Sequence, residues 1–444
     1  MTRRIILGTV TALATLAATG LAVVSANADT IDQSSEPINL AYYARWNVVG
    51  GPNDFYLKDV HESGAADDLT HLAYAFANVS PEGDCLPQLD WGDYTYAMSA
   101  GESVDGVADT AADPIVGQFH QLKKLKELHP DLNVTISLGG GAGIGDDGAG
   151  EAFAALAADP AIRADFIENC VDVFLRGNLP VTRHGGGDTG TPRGGPGTGA
   201  GIFDGIDIDW EWPDADSRED FAALHTEFRA ALDELSAETG EQYSLNTTVP
   251  GNVDSSGYQA GFDIPAIFEA SDFVTIQGYN MYGAWSDQNL TTNHHAQLFD
   301  SDDNPYVWNR HSTAAGIEYM IAEGAPADKI VLGAPSFARG WTGVPDVDNG
   351  RYQTGTGPAD GSDGSAENYS VVKNLPGTTF IDEETVAAYH FDGTTWWSYD
   401  VPETMAIKTQ YTLDNGLGGM MVWDIVGDRE NELISTIAEV QAGG

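Results

Sequence analysis

Cysteine and positive charge are scarce in this sequence. Its 444 residues include 2 Cys, and 20 Lys+Arg stand against 67 Asp+Glu, a formal net charge of −47. Two thiols, Cys85 and Cys170, exclude a Cys-rich metal centre and permit at most one disulfide. Whether they lie close enough to bond is left open by the sequence. The shortage of cations excludes nucleic acid as a partner, because a polyanion is repelled at every approach. Anionic lipid is disfavoured for the same reason. Beyond the N-terminal segment, no apolar run reaches the ~20 residues that a membrane helix needs. Histidines are few and scattered, and the adjacent pair His294-His295 in a polar stretch is weak support for a metal. No metal and no cofactor are expected.

What is present describes a globular, exported chain. A hydrophobic fraction of 42%, with 16 Phe, 17 Tyr and 10 Trp, is ample for a core. Acids are spread along the chain and only 7 Lys remain, a surface suited to concentrated salt, where counterions screen self-repulsion. The start reads Met1-Thr2-Arg3-Arg4, then an apolar run from Ile5 to Val24, then Ser25-Ala26-Asn27-Ala28. This pattern predicts an export signal over residues 1–28, twin-arginine-like, cleaved after Ala28 and releasing an extracellular protein. Residues 29–444 are then the catalytic part, expected to act as a monomer free of the membrane.

Short apolar runs alternate with helical patterns. Strands are expected at Asn39–Tyr43, His71–Ala77, Asn133–Leu138, Gly205–Trp210, Tyr243–Val249, Phe273–Tyr279, Lys329–Pro335 and Gly419–Trp423. Helices are expected between them, as at Ser217–Ala237, where Phe221, Leu224, Phe228, Leu232 and Leu235 keep a helical spacing. Eight such repeats predict the α/β fold of a (β/α)8 TIM barrel, with its site at the C-terminal ends of the strands. An open doubly wound sheet lacks its Gly-rich turn after the first strand. Three stretches interrupt the pattern: an acidic loop from Asn78 to Asp113, a Gly/Pro/Thr-rich mobile insertion from His184 to Gly201, and an aromatic segment from Trp341 to Asp400. The last reads as a small α+β insertion after the seventh strand, walling a cleft.

The stretch Asp204-Gly205-Ile206-Asp207-Ile208-Asp209-Trp210-Glu211-Trp212 carries the chemistry. Side chains alternate along a strand, so Asp207, Asp209 and Glu211 share one face while Ile206, Ile208 and Trp210 share the other. Acids stacked inside a barrel cannot all ionise; at least one keeps its proton near neutral pH and can donate it. A solvated edge or a metal site could also alternate acids. The flanking Ile and Trp argue against the first and the missing His against the second.

At these residues the chain resembles glycoside hydrolase family 18, the chitinase family, whose signature Asp-x-x-Asp-x-Asp-x-Glu is met by Asp204, Asp207, Asp209 and Glu211. Ile136-Ser137-Leu138-Gly139-Gly140, Leu332 to Trp341, Trp397-Ser398-Tyr399-Asp400 and Gly418 to Asp424 are similar to further family stretches. The resemblance implies a glycosidase acting on β-1,4-linked N-acetylglucosamine, with chitin and its oligosaccharides as partners. Glu211 would be the proton donor, with Asp209 and Asp207 behind it. The substrate's own acetamido group would be the nucleophile, an arrangement known for this family. Tyr279 would donate to the acetamido carbonyl and Trp423 would form the floor. Tyr42, Tyr74 and Ser137 would line the pocket or serve the core, and Trp212, Trp285, Arg339 and Gln277 are candidate binding positions. Trp308, Trp341, Trp396 and Trp397 are candidates for stacking, with core packing expected for at least half of them. Asn280 stands where the insertion-bearing branch usually has Asp, which bears on the pH profile. An endo-β-N-acetylglucosaminidase of N-glycan cores and an inactive chitin-binding lectin are the alternatives; the retained Glu211 disfavours the lectin.

Overall fold

The computed structural model describes residues 36–444 except 49–53, 89–90, 141–148, 183–190, 252–257, 286–288, 308–309 and 363–364. The expected export signal and Trp308 lie outside the described residues, as does part of the Gly-rich stretch. Eight parallel strands close into a barrel: β1 Ile38–Ala44, β2 His71–Val79, β3 Asn133–Gly139, β4 Gly205–Asp209, β5 Ser244–Pro250, β6 Phe273–Gln277, β7 Ile330–Pro335 and β8 Gly419–Trp423. Each pairs with the next, and β1 pairs with both β2 and β8, which removes every free edge.

Two apolar layers follow from the alternation. Leu40, Tyr42, Ala73, Ala75, Val331 and Met421 fill the barrel interior. Leu72, Ile136, Ile206, Ile208 and Trp210 face outward and pack against helices, including Arg218–Thr239 with its Phe221, Leu224 and Phe228. Trp210 lies parallel to Phe153 at 5.3 Å and edge-on to Phe221 at 5.4 Å. Phe153 belongs to a helix, Gly150–Ala158, that periodicity does not reveal; its Ala-rich sequence keeps only a narrow apolar face. Where β3 ends, Gly139 and Gly140 have φ of +101° and +84°. A Cβ on Gly139 would lie 2.6 Å from the Asp209 carbonyl, and one on Gly140 2.5 Å from the Phe76 ring. Only glycine permits this approach of β3 to the acid-bearing strand.

The stretch after β2 is tied down rather than a free loop. Cys85–Pro87 pairs antiparallel with β2. Cys85 is bonded to Cys170 of the helix Pro160–Cys170, so the open question of the disulfide is answered by its formation. Acids in this stretch serve as internal ties: Asp109 accepts from Met98 N and Gly117 N at 2.9 Å each. In the Gly-rich stretch, the expected mobility is corrected in part, since Arg193–Gly195 pairs with Leu179–Thr182 and Arg193 is buried.

The insertion is an antiparallel sheet that begins at Phe337, slightly before the expected boundary. Phe337–Thr342, Trp396–Tyr399, Ala387–Phe391 and Thr378–Asp382 lie in that order. Its aromatics are its own core: Trp341 and Trp396 are fully buried, 5.4 Å apart, and Tyr389 stacks on Trp396 at 5.1 Å. Trp397 is buried as well. Packing, not sugar stacking, accounts for all three tryptophans. A buried ion pair of Lys408 and Asp400 at 2.5 Å closes the insertion, with Lys408 also donating to the Ala296 carbonyl. Among the described residues, no helix is long and apolar enough to cross a membrane.

Candidate active site

β4 presents its carboxylates in a graded series from buried to partly exposed. Asp204, first of the motif, lies outside the pocket: it binds Lys126 Nζ at 2.6 Å and accepts from Val134 N at 2.8 Å. Asp207 is fully buried and saturated by donors, with Tyr42 Oη at 2.9 Å, Ser137 Oγ at 2.6 Å and Asn246 Nδ2 at 2.5 Å. Burial pushes its pKa up to about 6 against these donors, which favour the carboxylate.

Asp209 is also buried, and among the described residues its Oδ1 has no hydrogen-bond partner. Burial, then the charges of Glu211 and Asp207, hold its pKa well above the carboxylate range. Glu211, just beyond the strand and partly exposed, accepts from Gln277 Nε2 at 2.6 Å. Burial raises it too, opposed first by Gln277 and then by the hydrogen bond with Asp209. Asp209 and Glu211 therefore titrate as a pair that retains a proton above the ordinary carboxylate range.

Other strand ends complete the mouth. Tyr279 follows β6, buried, and burial together with Glu211 and Asp209 keeps its hydroxyl protonated and available as a donor. Trp423 ends β8, with Tyr42 at 5.2 Å and a stacked Phe76 at 5.7 Å. Asp424, next in the chain, is a further acid that sequence reasoning missed; burial raises it to about 7. Non-proline cis peptides occur at Ala75-Phe76, inside β2 where its register with β3 shifts, at Glu211-Trp212 just past β4, and at Trp423-Asp424 at the end of β8.

The structure brings together Glu211, Asp209, Asp207, Tyr279, Tyr42, Ser137, Gln277 and Trp423. Tyr74 is a correction: it belongs to the outer layer, donating to Asp93 Oδ1 at 2.6 Å and packing on Phe119. One residue along a strand reverses the face, and Tyr74 sits between the inward Ala73 and Ala75. Trp212 is half-buried and packs edge-on to Phe262 at 6.3 Å. Trp285 is 51% exposed, an open ring on the loop after β6. His294 is buried with Nε2 3.2 Å from Asp382 Oδ2, a tie between loop and insertion.

Asn280 is exposed with φ of +58°, a conformation asparagine tolerates well, and its Oδ1 accepts from Arg339 Nε at 2.9 Å. Arg339 also lies over the Phe337 ring at 5.3 Å. The departure from the family's acid therefore has a partner of its own. Asn280→Asp is expected to pair with Arg339 and to move the alkaline limb of kcat/KM upward by less than about half a unit, because the cation neutralises the new charge. A pH series on both forms checks this; a shift of a full unit or more contradicts the pairing.

The sequence profile of Glycosyl hydrolases family 18 matches residues 39–428. Chitinase C of Streptomyces lividans is 33% identical over 397 residues, 89% of this chain and 58% of that protein. Chitinase 63 of Streptomyces plicatus is 32% identical over 404 residues, 90% of this chain and 60% of that protein. The chain thus spans less than two thirds of the length of these relatives. Among solved structures, the catalytic domain of psychrophilic chitinase B from Arthrobacter TAD20 superposes with a TM-score of 0.84 at 35% identity, covering 92% of this chain and 96% of that one.

Proposed function

The chain belongs to glycoside hydrolase family 18, and from that premise we propose that it hydrolyses the β-1,4 linkages of chitin with retention. The observation that carries the reading is the acid series on β4, with Asp209 Oδ1 buried and unpaired beside a proton-sharing Glu211. A buried polar atom without a partner is what a bound acetamido N–H satisfies.

In the proposed step, the proton of Glu211 passes to the glycosidic oxygen. The bond from that oxygen to the anomeric carbon breaks, and its electron pair stays with the leaving sugar. The acetamido carbonyl oxygen bonds to the anomeric carbon, giving an oxazolinium ion that water opens with the original configuration. Asp209 orients the acetamido group and balances the charge developing on it, with Asp207 fixed beneath by its three donors. Tyr279 donates to the acetamido oxygen, and Trp423 supports the distorted ring.

Product sizes from colloidal chitin, set beside those from a high-mannose glycoprotein, test the substrate. Short N-acetylglucosamine oligomers from chitin alone support the reading; release of N-glycans without chitin cleavage overturns it in favour of an endo-β-N-acetylglucosaminidase.

We also propose that the enzyme is exported and works in concentrated salt. A net charge of −47 repels itself, and the screening length falls from ~30 Å at 0.01 M to ~3 Å at 1 M salt. The melting temperature and the activity are expected to rise with NaCl into the molar range. A thermal midpoint that stays flat or falls over that range removes salt adaptation and leaves the enzymatic reading standing.

A further inference from the structure

Gln277 is the last residue of β6 and reaches across the barrel mouth to the acid of β4, its Nε2 2.6 Å from Glu211 Oε1. An amide N–H is a donor that neither ionises nor gives up its proton at working pH. A carboxyl oxygen that carries the proton is the weaker acceptor of the two, so accepting this bond disfavours a proton on Oε1. Any proton on Glu211 is thereby directed to Oε2.

We infer that Gln277 is a positioning residue for the reaction: it fixes the plane of the Glu211 carboxyl, reserves Oε1 as an acceptor, and makes Oε2 the oxygen that delivers the proton. The chitinolytic reading enters only as the source of the substrate. The surrounding groups do not duplicate this role. From β4 itself come Asp209, which shares the proton, and Asp207, held by Tyr42, Ser137 and Asn246. Tyr279 beyond β6 and Asp424 beyond β8 are protonated or neutral-range groups, and Arg339 beyond β7 is engaged by Asn280. Gln277 is thus the neutral donor set on the acid, and it favours the ionised form that Glu211 reaches as the proton departs.

Gln277→Met keeps the length of the side chain and removes the donor. With that stabilisation of the carboxylate gone, Glu211 holds its proton to higher pH. The alkaline limb of kcat/KM should move up by about one unit, a tenfold change in proton affinity. On the plateau kcat should fall about tenfold, with KM within about twofold. The same shift should be seen without turnover, by carbon-13 NMR titration of labelled Glu carboxyls, with Glu211→Gln identifying the resonance. An unmoved titration with a raised KM makes Gln277 a substrate ligand and overturns the inference. An unmoved titration with a lowered melting temperature makes it structural and does the same. A downward shift means that the amide presents its oxygen, also against the inference. Should the wild-type enzyme fail to cleave chitin oligomers, the chitinolytic reading falls, and the NMR titration still decides the role of Gln277.

Discussion

Glu211→Gln is expected to lower kcat for chitin oligosaccharides by at least ~10²-fold while leaving the fold and sugar binding in place, the usual scale for a lost general acid. Glu211 lies just past the end of β4 and is partly exposed, so an amide of the same shape disturbs little packing. The Gln277 contact survives, because the new side chain still offers a carbonyl oxygen at the position of Oε1. Asp207 keeps its three donors in either form. What disappears is the group that, among the described residues at the mouth of β4, combines partial exposure with a shared proton. Melting temperature and oligosaccharide Kd should stay close to wild type while turnover collapses. Near-normal turnover would move the acid role to another residue.

Asp209→Asn should be nearly as damaging, about 10²-fold in kcat, and should leave a signature that Glu211→Gln cannot. In the wild-type enzyme, burial and the neighbouring charges make Asp209 hold a proton well above the ordinary carboxylate range, shared with Glu211. An asparagine cannot take part in that sharing. The hydrogen bond from the protonated Asp209, which opposes the rise of the Glu211 pKa, is then weakened, so Glu211 holds its proton to higher pH and the alkaline limb of the remaining activity should move up. The amide also presents a different face to the acetamido N–H that Oδ1 is proposed to receive. Rate and limb are both read from one pH series; a limb that stays in place or falls earlier contradicts the coupling.

Much of this was legible in the sequence because it depends on local periodicity. The alternation Ile206, Asp207, Ile208, Asp209, Trp210 sends apolar residues outward to the helices and acids inward, as the structure has it. Expected strand positions fall within one or two residues of the observed ones, and Tyr279 lies two residues past the end of β6 at Gln277. The pocket position that the resemblance suggested for Tyr74 is what fails: it alternates with the inward Ala73 and Ala75 and so points outward. What stayed hidden depends on closure of the barrel. Cys85 meets Cys170 across 85 residues, and Gln277 meets Glu211 across 66. Asp424 becomes notable only once β8 is seated beside β1. In the insertion, aromatic richness signals a folded unit but cannot say whether the rings face sugar or one another; Trp341 and Trp396 face one another.

The central claim is that the substrate's own acetamido group attacks while Glu211 gives the proton, and the configuration of the first product tests it most directly. Proton NMR of a chitin oligosaccharide digest, read within the first turnovers and before mutarotation, distinguishes the two anomers at the new reducing end. The account predicts the β-anomer, retained from the β-1,4 linkage, because two displacements occur at the same carbon. A first product that is the α-anomer would mean a single displacement by water, with two of the β4 carboxylates acting as acid and base, and would contradict it.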